Sequence, residues 1–161
     1  MDYKLNTQTD LAPYVLIFLS CLLIFALRNS LNGVFYPNLL YEDGTTLFQP
    51  FYEGRGLGYI FEPVNGYLLV IPKLVAYLLN FLPAKLIPHS YALFAMVFAA
   101  VTFVVLFEML QGYFGKRFAL HSTLVIAALP LAYQQLITSL AGIIWNMLLI
   151  LIFLYFMPVP K

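Results

Sequence analysis

Four stretches of this chain, 11–31, 91–110, 118–137 and 140–157, are apolar almost throughout. A helix rises about 1.5 Å per residue and a bilayer's hydrocarbon is roughly 30 Å thick, so about 17–25 mostly apolar residues make a crossing. Each stretch meets that requirement. The rest of the chain supplies little to dilute them: 63% of its 161 residues are hydrophobic and 9% charged, against roughly 25% charged in a soluble domain. Fifteen Phe, twelve Tyr and one Trp exceed what one small core can hide, and Tyr and Trp suit membrane interfaces. The expected fold is therefore all-α: a polytopic membrane helical bundle, one membrane domain over 1–161, with a long extracytoplasmic first loop carrying short interfacial helices.

Local chemistry sharpens the boundaries. Pro13 falls in the opening turn of the first stretch, where a missing N–H costs little. Arg28 marks its far end, Pro130 predicts a kink in the third stretch, and Pro158 and Pro160 stop the fourth. Asp2 and Asp10 against Lys4, with no small-residue cleavage pattern, make the first stretch a retained anchor and not a leader. A fifth stretch, 66–82, is short and carries Lys73 near its middle, which is costly in hydrocarbon. Lys73, Tyr77 and Asn80 share one face of a helix there, as on a helix lying along a membrane surface; a span with Lys73 facing a polar interior is the alternative. With four spans, Lys4, Lys116, Arg117 and Lys161 fall on one side, so the positive-inside rule makes the termini cytoplasmic.

The loop over 32–90 holds four of the seven acids, Glu42, Asp43, Glu53 and Glu62, and six of the nine glycines. Connections this long are functional or disordered, and this one is too aromatic for a solvated tail. Adjacent carboxylates at Glu42-Asp43 repel, so a metal, a basic side chain or a shared proton is expected beside them. One could act as a general base while the other holds a cation or donor; equally, the pair could begin a short helix that its dipole stabilises. Gly54-Arg55-Gly56-Leu57-Gly58 matches neither the dinucleotide nor the Walker phosphate motif. It reads first as a turn, with Arg55 placed to meet a lipid phosphate. Lys73 and Lys85 could do the same at headgroup depth or simply snorkel. His89 and His121 lack ligand spacing, Cys21 is the single cysteine, and a net charge of +1 excludes a nucleic-acid partner.

In order of features the chain resembles the N-terminal part of the GT-C membrane glycosyltransferases. The matching residues are Glu42-Asp43-Gly44 after the first span, Pro63-Val64-Asn65-Gly66-Tyr67 leading into Ile71-Pro72-Lys73-Leu74, and Gly112-Tyr113-Phe114-Gly115-Lys116-Arg117. The resemblance implies inverting sugar transfer from a polyprenyl-phosphate-linked donor to an envelope glycan or lipid acceptor at a bacterial plasma membrane. Asp43 would be the base and Glu42 its neighbour, with a divalent cation left open. Tyr41, Arg55, Lys73 and Lys85 would bind substrate. GT-C bundles are larger than four spans and often carry a further acid where this chain has Gln134, Gln135, Thr138 and Ser139. That departure implies a fragment, or a second polypeptide supplying spans. The competing reading is a small non-catalytic subunit that binds a lipid carrier or a partner membrane protein.

Overall fold

A computed structural model describes residues 11–28, 37–39, 42–129 and 137–158. Its longer helices are α1 (Ala12–Arg28), α2 (Gln49–Tyr52), α3 (Val70–Leu79), α4 (Ile87–Phe114), α5 (Lys116–Ala128) and α6 (Ile143–Tyr155). Short π and 3₁₀ turns at Asp43–Phe48, Leu57–Phe61 and Ala84–Leu86 fill the first loop, and no strand forms among the described residues. The all-helical expectation holds.

Among the described residues the helices cover less than the expected spans, with one exception. Through the turn before it, α4 forms a single apolar helix, Ala84–Phe114, and among the described residues it alone is long and apolar enough to cross a membrane. Its own 28 residues reach about 42 Å. By contrast α5 and α6, at 13 residues each, reach only about 20 Å. The sequence explains one of these ends. Pro disfavours helical geometry in the residue before it, and Leu129, ahead of Pro130, has ψ 140°. Thus α5 stops at Ala128 where a kinked helix was expected, and 130–136 lie outside the described residues. The break between α4 and α5 is Gly115, at φ 84°, a conformation nearly reserved for glycine.

α4 is the central element, packing against α1, α5 and α6. Its buried face is built largely from Ala92, Ala95, Ala99, Ala100 and Thr102, small side chains that let neighbouring helices approach closely. From α1 come Ile17, Cys21 and Phe25, one turn apart and all buried, which meet Met96, Ala99, Ala100 and Phe107 in one core. The opposite side of α1 exposes Leu16, Leu19, Leu23 and Leu27. At the far end of the bundle Glu108 accepts hydrogen bonds from Tyr14 and from Gln111 (2.6 Å), tying α1 to the end of α4.

A second core joins the first loop to the start of α4 and the entry to α6. Leu47, Phe51, Tyr59, Ile60 and Ala76 pack there with Ile87, Tyr91, Leu140, Ala141 and Ile143. Phe51 and Tyr59 are spent on this contact, with Phe48 and Tyr77 packed against it, whereas Tyr52, Phe61 and Tyr67 stay exposed.

Candidate functional site

The acid pair sits where the loop meets the bundle, and its two members face opposite ways. Asp43 opens the π-helical turn Asp43–Phe48 and is 1% exposed, whereas Glu42 is exposed. A single-residue step along a helical turn rotates the side chain by about 100°, so burying Asp43 turns Glu42 outward.

Asp43 reaches across to the segment that leads into α6. Its Oδ1 accepts from Ser139 Oγ at 3.0 Å and from the Ala141 amide at 2.9 Å, and its Oδ2 accepts from the Leu140 amide at 3.0 Å. Helix beginnings leave amides without intrahelical partners, and Gly142, at the start of α6, has no side chain to serve as cap. The first amides of α6, those of Ile143, Ile144 and Trp145, turn back to the carbonyls of Leu140, Ala141 and Gly142, and an acid nearly a hundred residues earlier serves the two amides just ahead of that cap. Burial pushes the Asp43 carboxyl above its ordinary range; the Ala141 and Leu140 amides and Ser139 pull it back, and the charge of Glu42 adds to the rise. The neighbours that the sequence suggested for the pair, a cation or a shared proton, are replaced here by backbone N–H groups and a hydroxyl. No group of three or more His, Cys, Asp or Glu able to hold a metal forms among the described residues.

Lys73 has a comparable task. On α3 it is turned inward and fully buried, while Leu74 and Leu78 face out. Its Nζ donates to the carbonyls of Tyr59 (3.0 Å) and Glu62 (2.7 Å) and lies 3.8 Å from the centre of the Tyr59 ring. Burial lowers its pKa, Glu62 opposes that shift and Arg55 reinforces it. A lysine so occupied is a brace within the loop, not the surface phosphate ligand anticipated for it.

Tyr59 links these parts. Its hydroxyl donates to the Thr46 carbonyl at 2.9 Å, inside the turn that Asp43 opens, and Arg55 lies 5.1 Å from its ring centre on the way to Glu62. The Arg55–Glu62 ion pair measures 2.8 Å and is half-exposed. Lys73, Tyr59, the Asp43 turn and the 139–141 segment therefore form one continuous polar connection. Lys85 stands apart from it, exposed in the turn Ala84–Leu86. Tyr41 lies outside the described residues.

Sequence reasoning missed Tyr59 and the 139–141 segment. Tyr59 carried no signal. The 139–141 segment carried none either, because the carboxylate it pairs with lies nearly a hundred residues away in sequence. Two cavities adjoin these elements. One of about 320 Å³ lies among α1, α4, α5 and α6, lined mainly by apolar groups with Arg28, Thr102 and Asn146. The other, about 250 Å³, lies between the glycine-rich turn and the end of α3. Comparison of the chain with known protein families, with curated proteins and with solved structures finds no match in any of the three.

Proposed function

We propose that the chain is embedded in a bacterial plasma membrane as a polytopic bundle with cytoplasmic termini, and that it acts as, or as the N-terminal part of, a GT-C-type glycosyltransferase. In this reading a sugar passes from a polyprenyl-phosphate donor to an envelope glycan or lipid acceptor. The observation that carries it is the docking of the acidic loop on the end of the long helix α4, with one carboxylate locked inward and its neighbour presented outward.

A general base must come within hydrogen-bond reach of the proton it takes. Asp43 has three donors on its two oxygens and almost no exposed surface, so the base role passes to Glu42, with Asp43 as the residue that positions it. The acceptor hydroxyl attacks the anomeric carbon, Glu42 takes its proton, and the bond to the donor phosphate breaks with the electron pair leaving on phosphate. Inversion follows from a single displacement. Lys85 is the cation of the loop with exposed surface for that phosphate; Arg55 is taken up by Glu62, and Lys73 is assigned to holding the loop.

Membranes containing the chain, given a radiolabelled polyprenyl-phosphate sugar, are expected to lose transfer by about 10²–10⁴-fold on Glu42→Gln with thermal stability unchanged. Full transfer in that variant removes Glu42 from the base role. The non-catalytic subunit reading draws on a different fact, that the buried acid and the buried lysine are both consumed in holding the loop. Wild-type membranes inert toward every donor tried, together with co-purification of a lipid carrier, would decide for it. A Cys at exposed Thr45 is expected to react with an impermeant thiol reagent from outside; labelling only after permeabilisation reverses the orientation.

A further inference from the structure

We propose that the cleft between the Gly54-Arg55-Gly56 turn and the end of α3 binds a neutral pyranose ring. The proposal rests on the glycosyltransferase reading only for its biological context and names a subsite apart from Glu42.

The cleft holds about 250 Å³, on the order of eight waters' share of liquid volume. That is room for a single sugar ring and its hydroxyls. One wall is aromatic: Phe51, Tyr77 and Phe81 meet edge to face, with ring centres 5.5 Å and 5.4 Å apart. Phe81 is 75% exposed, which presents an apolar surface at the mouth. The facing groups are Arg55 and the amide of Asn80. A pyranose has the same two-sided character, with apolar C–H faces and a rim of hydroxyls that both donate and accept.

Charge selects among ligands. Arg55 would suit a phosphate if it were alone, but Glu62 neutralises it at 2.8 Å. Arg55 lines the cleft and offers it donors, while Glu62 outside the lining cancels its charge, which suits a polyol and disfavours an anion. Asn80 adds a second indication. Its Oδ1 is buried without a hydrogen-bond partner among the described residues, although buried polar atoms are nearly always paired. Rotation about the terminal bond of the side chain, which is soft for Asn, brings that oxygen or the amide nitrogen to a hydroxyl in the cleft. The glycines keep the opposite wall low. Gly54 is at φ 89°, and a Cβ added at Gly54 or Gly56 meets nothing within 4 Å.

The test uses the full chain in detergent and saturation-transfer NMR with methyl glucoside, methyl mannoside and N-acetylglucosamine. Saturation of ring C–H protons is expected for at least one sugar. Binding should weaken at least tenfold in Phe81→Ala and Asn80→Leu and stay unchanged in Leu74→Ala, on the outward face of α3. Gly56→Leu, whose backbone at φ −79° accepts a side chain, should narrow the mouth and weaken binding with the fold intact. No transfer to any of the three sugars overturns the proposal, as does a signal that survives both Phe81→Ala and Gly56→Leu. Displacement of the sugar by inorganic phosphate or by a short-chain phosphatidylglycerol at equal concentration also overturns it, because the cleft would then be an anion or headgroup site. Sugar binding in membranes that transfer no sugar sustains this site and defeats the enzymatic reading; transfer without binding here does the reverse.

Discussion

Replacing Asp43 by Asn tests the joint between the loop and α6 with the smallest change of shape. If the new amide oxygen takes the place of Oδ1, Ser139 and Ala141 keep their acceptor, but the NH₂ then faces the Leu140 amide across the 3.0 Å gap formerly spanned by Oδ2. Two donors meet with no acceptor. One charge-assisted bond is lost, worth about 1.5–3 kcal/mol, and one buried N–H is orphaned at about 1–3 kcal/mol; release of a buried charge offsets part of this. The net cost comes to about 1–3 kcal/mol, or a Tm lower by roughly 2–12 °C for a chain of this size. Asp43→Ala, which strands all three donors, should cost more, and Ser139→Ala, which removes one bond, less, at about 1 kcal/mol. Thermal unfolding of the detergent-solubilised chain reads the order. An Asn variant as stable as wild type, or Ser139→Ala costing more than Asp43→Ala, would refute the reasoning. The pH dependence has a definite sign. Because burial raises the Asp43 carboxyl above its unfolded value, the folded chain holds more protons than the unfolded one between those two values, so this group's contribution is greatest below them and is lost as pH rises through the folded pKa. The wild type should gain on Asp43→Asn as pH falls through the folded pKa of that carboxyl.

Three further outcomes are expected. Lys73→Met keeps the length of the side chain but leaves the carbonyls of Tyr59 and Glu62 without their donor, at about 1–3 kcal/mol; faster proteolysis within the loop would register it, and unchanged protection would remove Lys73 from its bracing role. Gly112→Ala drives a Cβ into Pro158 Cγ, an overlap costing about 1–3 kcal/mol, and Pro158→Ala in the same chain should recover most of the lost Tm; no recovery would mean that the strain lies elsewhere. The Tyr91 hydroxyl is buried in the second core without a hydrogen-bond partner among the described residues, so Tyr91→Phe should leave Tm unchanged or raise it, since an unpaired buried hydroxyl contributes only its desolvation cost. A clear loss of Tm in that variant would show that the hydroxyl is paired.

Much of this architecture is legible in the order of residues, because it depends on local terms. Apolar runs and Gly115 between two helical stretches specify that helices form and where one gives way to the next, since backbone sterics act within one or two residues, whereas Pro130, which reads as a kink, follows the end of α5 at Ala128. The aromatic density of 32–90 likewise foretells a loop that packs. What no local rule supplies is the inward or outward sense of a polar side chain. Lys73 on a leucine-rich helix reads either as a surface group or as one facing a polar interior, and Asp43 beside Glu42 reads as needing a metal, a basic side chain or a shared proton, because the sequence does not display the partners of either. Tertiary structure brings them carbonyls from Tyr59 and Glu62 and amides from 139–141, and a charge can leave water only when such partners wait at the other end of a long chain separation. Pairing over that distance is a property of the fold, and it decides which carboxylate of the loop is a clasp and which faces outward.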